Sequence, residues 1–157
     1  MEKARRRQSA GIVLYRDGGA GLEVLLVHPG GPFWSKKDHG SWSIPKGEYH
    51  EHEDALLAAQ REFNEETGGV VHGPFKALAP CRQAGGKRVL AWAAEGDFDP
   101  DQLQSNEFSL EWPPRSGRLQ SFPEVDRAAW FTLPEARLRI LKAQLPLLDE
   151  LQTLAER

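Results

Sequence analysis

The stretch GEYHEHEDALLAAQREFNEETG, residues 47–68, decides how this chain is read. From Asp54 to Thr67 its pattern is helical, and at about 100° per residue Leu56, Ala59 and Phe63 fall on one apolar stripe. Acidic residues crowd the start, which suits the positive end of a helix dipole. Gly68 and Gly69 end the segment as C-terminal glycines do. Glu62 and Glu66 lie one turn apart directly beside the stripe, and Glu65 sits a little further round, next to Arg61. Like charges so spaced cost roughly a few tenths of a kcal/mol per pair, so something must offset the repulsion. Solubilising charges tend to lie opposite an apolar stripe. These lie at its edge, where a groove against the rest of the fold would run. Such carboxylates offer hard oxygen ligands that suit Mg²⁺ or Mn²⁺. Taken alone, three glutamates also fit an acidic, solvated helix.

Working outward, SAGIVLYR (9–16) and LEVLLVH (22–28) read as strands joined by the glycine-rich turn DGGAG, which suggests a hairpin. Residues 29–53 are dense in Gly, Pro and Ser and read as a surface loop with a short strand near Trp42–Ile44. Beyond the helix, FKALAPCRQ and KRVLAWAAE look like two strands joined by a turn at Gly85 and Gly86. Residues 99–121 are polar and proline-containing and read as a long loop, followed by a strand in VDRAAWF (125–131). Thr132 and Glu135 have the capping-box spacing, with Thr132 as N-cap. QLPLLDELQTLAE (144–156) carries the last helix. Strands, a helix, further strands and closing helices suggest a mixed sheet with helices packed on it. The chain of 157 residues is expected to form one domain, 1–157.

Composition narrows the function classes. A net charge of −3 argues against stable nucleic-acid binding. No run reaches the length of a membrane span. The apolar stretch near the N-terminus is short for a signal peptide, and the single cysteine, Cys81, fits a reducing compartment, so a cytoplasmic location is expected. The basic cluster Lys3, Arg5, Arg6, Arg7 reads as a solvated tail. His50 and His52 form no zinc pattern and are expected to be exposed.

Read from Gly47, five residues lead to Glu53 and seven more to Arg61-Glu62. Phe63, one residue, Glu65-Glu66, one residue and Gly68 complete the run. This pattern resembles the Nudix box of the Nudix hydrolase family at every charged and glycine position. One departure is Gly69, where the family usually has an apolar residue, and it is expected to alter local packing. The resemblance implies an α/β fold, the Nudix α/β/α sandwich with a mixed β-sheet. It implies a Mg²⁺- or Mn²⁺-dependent pyrophosphohydrolase that cleaves a phosphoanhydride in a nucleoside diphosphate linked to another moiety. Glu62, Glu66 and Glu65 are the implied metal ligands, with the main-chain carbonyl of Lys46 and, outside the box, Glu111 as further contacts. Arg61 is expected to pair with Glu53 and hold the loop to the helix. The general base is open among Glu65, Glu62, Glu111 and Glu107.

WSIPKGE, just before the box, resembles the dinucleoside polyphosphate and diphosphoinositol polyphosphate hydrolases of the family. It nominates Trp42 and Lys46 as substrate contacts, with Arg82 and Lys87 as further phosphate contacts; Lys36, Lys37, Arg88, Arg115 and Arg118 could join them. Of the five tryptophans, Trp92 and Trp130 read as core, and Trp34 and Trp112 as candidates for base stacking. Only Tyr15 and Tyr49 occur, so the tyrosine downstream of the box that marks the dinucleoside group is missing. The expected partner is a small nucleoside polyphosphate, either a dinucleoside polyphosphate or a nucleoside triphosphate; oligomeric state is not readable. The alternative is a non-catalytic Nudix-fold nucleotide-binding or regulatory module, disfavoured because every glutamate of the box is kept.

Overall fold

The computed structural model describes residues 8–83 and 86–156. The basic N-terminal cluster and Gly85 of the expected glycine turn lie outside them. β1 (Gln8–Asp17) and β2 (Leu22–Pro29) form the expected antiparallel hairpin. β3 (Lys46–Tyr49) pairs antiparallel with β1, and β6 (Arg88–Glu95) runs parallel to β1. β9 (Val125–Thr132) closes the other side against β2. Two short strands, β4 (Lys76–Ala77) and β5 (Cys81–Arg82), edge β6. The sheet is therefore mixed, in the order β4-β6-β1-β2-β9 with β3 on β1 and β5 on β6.

β1 and β2 are apolar almost throughout because both faces of the sheet are covered. Successive side chains alternate sides. Ile12, Leu14 and Leu25 meet Ala58, Ala59 and Phe63 of α1 (Ala55–Thr67) on one face. Val13, Val24 and Leu26 meet Ala136 of α2 (Leu133–Arg139) and Leu147, Leu148 and Leu151 of α3 (Leu145–Ala155) on the other. The result is the expected α/β/α sandwich.

α1 starts where Asp54 accepts a hydrogen bond from the Leu57 N–H (3.0 Å) and ends at Gly68, whose φ of 82° a residue with a side chain rarely adopts. Its buried face is Ala58, Ala59, Glu62, Phe63 and Thr67, so a carboxylate sits within the buried stripe itself. Gly69 explains the departure in the box: a Cβ there would crowd the rings of Phe98 and Phe63, which already fill the space. Phe63 and Phe98 meet edge to face at 6.2 Å.

Several expectations change. Residues 99–121 are not one loop: β7 (Glu107–Glu111) and β8 (Leu119–Pro123) form a separate two-stranded sheet. The prolines that suggested a loop, Pro113 and Pro114, lie in its turn. FKALAPCRQ breaks into β4 and β5 because Pro80 has no N–H for the ladder, and the Ala79 N–H turns to Glu150 at 2.8 Å. Trp42 and Ser43 make only isolated bridges, and the strand begins at Lys46. Thr132 occupies the N-cap of α2, but its side chain makes no capping hydrogen bond; Glu135 accepts from Arg139 instead.

Candidate active site

The site forms where β3 crosses the C-terminal half of α1. The Glu62 carboxylate occupies the space a Cβ on Gly47 would need, so any side chain at 47 would displace that carboxylate. The Lys46 N–H donates to Glu66 Oε1 at 3.2 Å, tying the strand to the helix. A cavity of about 170 Å³ opens beside this junction. Lys46, Glu66, Glu124 and Trp34 line it, with Ser41 and Ser43.

Arg61 is the organising cation. Its Nε and Nη2 form a two-pronged pair with Glu53 (2.8 and 3.1 Å), while Nη1 donates to Glu62 (2.9 Å) and Glu65 (3.1 Å). The expected Arg61–Glu53 pair is present. Its hydrogen bonds hold the Glu53 carboxyl below the usual carboxylate range, and the bond to Glu53 leads those that push the Arg61 guanidinium up.

Glu66, Glu62 and Glu124 are pushed the opposite way. Burial raises Glu66 to about 8 against partial compensation from the Lys46 ammonium and N–H, with Glu62 and Glu124 adding repulsion. Burial also raises Glu62, reinforced by Glu65 and opposed by Arg61. Glu124 is raised by burial and by Glu65. Lys46 is lowered by burial, with Glu66 as its main compensating charge. Four glutamates thus repel one another around two cations, and one of those, Arg61, is already shared three ways.

Glu124 was absent from the residues nominated above. It stands between β8 and β9, with its backbone held by Asn106 and Gly30 (2.8 and 2.9 Å). Among the described residues no hydrogen bond or ion pair is made by its carboxylate. Only the pairing of β9 with β2 carries it to the helix, and no local pattern marks it.

Five nominated residues stand outside the cavity lining. Glu111 lies four positions along β7 from Glu107, about 13 Å at strand rise, and accepts from the Arg115 N–H (2.9 Å) in the hairpin turn. Glu107 does not line the cavity either. Trp42 offers no face to a base: it is 3% exposed, meets His28 and Phe131 edge to face, and donates Nε1–H to Asp38 (2.7 Å). Its apolar bulk was better spent in the core. Arg82 sits exposed on the edge strand β5 opposite Arg88. Lys87 pairs with Glu48 at 2.6 Å but stays within electrostatic reach of Lys46. Of the tryptophans, Trp92 and Trp130 pack on the core as expected, and Trp34 reaches the cavity wall. His50 and His52 are exposed as expected.

The donor set fits a hard divalent cation: it is all oxygen, partly buried and short of positive charge. Among the described residues no three acidic, histidine or cysteine side chains stand in one ready-made cage. Arg61 draws Glu62 and Glu65 to itself, and Glu66 rests on the Lys46 N–H. A cation would have to compete with Arg61 for these oxygens.

A NUDIX domain family model matches residues 5–151. The 8-oxo-(d)GTP phosphatase of Mycolicibacterium smegmatis is 35% identical over 108 residues, 60% of this chain; the match spans only 31% of that protein. The RNA pyrophosphohydrolase of Caulobacter vibrioides is 32% identical over 128 residues, covering 65% of this chain and 73% of its own. Among solved structures, a Caenorhabditis elegans Ap4A hydrolase binary complex superposes with a TM-score of 0.64 at 22% identity, over 94% of this chain and 98% of that one, a likeness of fold. Box, sandwich and family match agree: the chain belongs to the Nudix hydrolase family.

Proposed function

We propose that this chain is a Mg²⁺- or Mn²⁺-dependent pyrophosphohydrolase that cleaves a phosphoanhydride in a nucleoside triphosphate or a dinucleoside polyphosphate. The observation that carries this reading is the gathering of Glu66, Glu124 and Lys46 on one cavity wall beside Glu62. Ser41 and Ser43 are poor nucleophiles here, since their hydroxyls donate to the carbonyls of Asp38 (2.5 Å) and Ile44 (2.7 Å). The cavity lining holds no histidine or cysteine. In this reading water is the nucleophile.

Glu62, Glu66 and Glu65, with the Lys46 carbonyl, would hold the cation. When bound, it neutralises phosphate oxygens and lowers the pKa of water. Lys46 places its ammonium against a phosphate oxygen. Glu124 accepts the proton of the attacking water as the water oxygen bonds to phosphorus and the anhydride P–O bond breaks. Its unengaged oxygens favour it over Glu65 and Glu62, which Arg61 engages. Arg61 positions the helix carboxylates through Glu53. Trp34 gives the base an aromatic face at the cavity wall. Among the described residues no helix is long and apolar enough to cross a membrane.

The test is a panel of nucleoside triphosphates, 8-oxo-dGTP, dinucleoside polyphosphates, ADP-ribose and diphosphoinositol polyphosphates, assayed with Mg²⁺, Mn²⁺ or EDTA. Metal-dependent phosphate or nucleotide release from a nucleoside polyphosphate is expected. Tight binding of one member with no turnover of any would favour the non-catalytic module instead.

A further inference from the structure

The β7–β8 hairpin has no part in the site just described, yet it is built against the loop that carries Trp34. Trp34 lines the cavity with Glu66 and Lys46. Its neighbour Phe33 is 59% exposed and meets Trp112 of the hairpin edge to face, ring centres 5.2 Å apart. Trp112 in turn is tied to the hairpin tip, where its N–H donates to the Arg118 carbonyl (3.0 Å). An aromatic path thus runs from the cavity wall, over Trp34 and Phe33, to Trp112.

The path is edged by positive charge. Lys37 Nζ stands 5.2 Å from the Trp34 ring centre. Arg115 and Arg118 are exposed at the tip, and among the described residues neither side chain has an ion-pair partner. Glu111, the nearest acid on the hairpin, is occupied by the Arg115 N–H. The platform is also held in place. The Gly30 N–H binds the Glu124 carbonyl (2.9 Å) at the hairpin base, and a Cβ on Gly31 would stand 2.9 Å from the tip of the Phe108 ring.

Exposed aromatic faces interleaved with cations recognise nucleobases joined by phosphates. We propose that the Phe33–Trp112 platform, with Arg115 and Arg118, binds a second nucleotide unit of the substrate, joined to the one whose phosphates meet the Glu66 cluster. The inference rests on the nucleotide reading of the site above. Two sources share this chemistry: the distal nucleoside of a dinucleoside polyphosphate, and the second residue of a 5′-triphosphorylated oligonucleotide.

Binding of uncleavable methylene-bridged analogues separates this inference from the hydrolysis reading, because it needs no turnover. The analogues are of ATP, of diadenosine tetraphosphate and of a 5′-triphosphorylated dinucleotide, titrated by calorimetry with Mg²⁺. Wild type should bind one of the two-base analogues more tightly than the ATP analogue, and which one identifies the source. Trp112→Ala and Phe33→Ala should each weaken that analogue about tenfold and leave the ATP analogue within about twofold, which also shows that the variants fold. Arg115→Ala with Arg118→Ala should weaken it further at low salt than at high salt. Equal affinity for one-base and two-base analogues would overturn the proposal, as would variants that weaken all three alike. Failure of hydrolysis with preserved two-base preference would instead sink the catalytic reading and leave the platform standing.

Discussion

Glu66→Gln should abolish turnover while making the metal-free protein more stable. Burial holds the Glu66 carboxyl near 8 against an ordinary value of 4.5. The native protein therefore keeps this proton to higher pH than the unfolded chain does. Between those two values folding takes up a proton, and stability falls as pH rises. The loss is absent below about pH 4.5 and complete above about pH 8. At about 1.4 kcal/mol per unit, its upper bound is about 5 kcal/mol. Glutamine has the same shape and no charge to bury, but it also strips the Lys46 ammonium of its main counter-charge. The net gain expected above pH 8 is therefore about 1–3 kcal/mol, or about 3–9 °C in Tm for a chain of this size. The assay is thermal unfolding in EDTA at pH 8.5 and at pH 5. The variant should melt higher than wild type at pH 8.5, and the gap should close at pH 5, where Glu66 is protonated. With Mg²⁺ present, wild type should be stabilised more than the variant, and the variant's kcat/KM should be lower by about two to four orders of magnitude. A variant that melts lower at pH 8.5, or a gap that ignores pH, would refute the claim that a strained carboxylate is kept for a cation.

Three further substitutions separate the roles assigned above. Glu124→Gln should lower kcat about 10²–10⁴-fold with KM within about twofold and circular dichroism unchanged, since its side chain takes a proton and, among the described residues, bonds no other element. Arg61→Ala should cost about 1 kcal/mol after solvent screening and most of the activity, and Arg61→Lys should not rescue it, because lysine lacks the fork that spans Glu53, Glu62 and Glu65; steady-state kinetics with denaturant unfolding read both. Gly47→Ala should push the Glu62 carboxylate aside and lower kcat/KM by at least about tenfold, read by the same kinetics.

The parts legible in the sequence were those encoded locally. The helical period marked which carboxylates share a face, and the near-continuous apolar runs of β1 and β2 fit a sheet covered on both sides. The Arg61–Glu53 pair followed from the box. What escaped was set by pairing at long range. Glu124 joins the cluster only because β9 lies beside β2, whereas Glu111, in the same acidic region, is carried away along β7. Trp42 looked like a substrate contact because it precedes the box, yet its ring fills the core between His28 and Phe131. The β7–β8 hairpin was hidden by its turn prolines, which masked short alternating strands on either side. Gly69, a departure from the family pattern, is accounted for by Phe98, which comes from a distant segment to take the vacated space.

The account turns on whether the repelling glutamates of REFNEETG hold a cation. Mn²⁺ titrated into the protein, with free ion counted by electron paramagnetic resonance, measures this without substrate or turnover. Wild type should bind Mn²⁺ and Mg²⁺ should displace it, while Glu66→Gln should bind it at least about tenfold more weakly. Equal Mn²⁺ affinity in the two proteins, or no binding by wild type, would contradict the account.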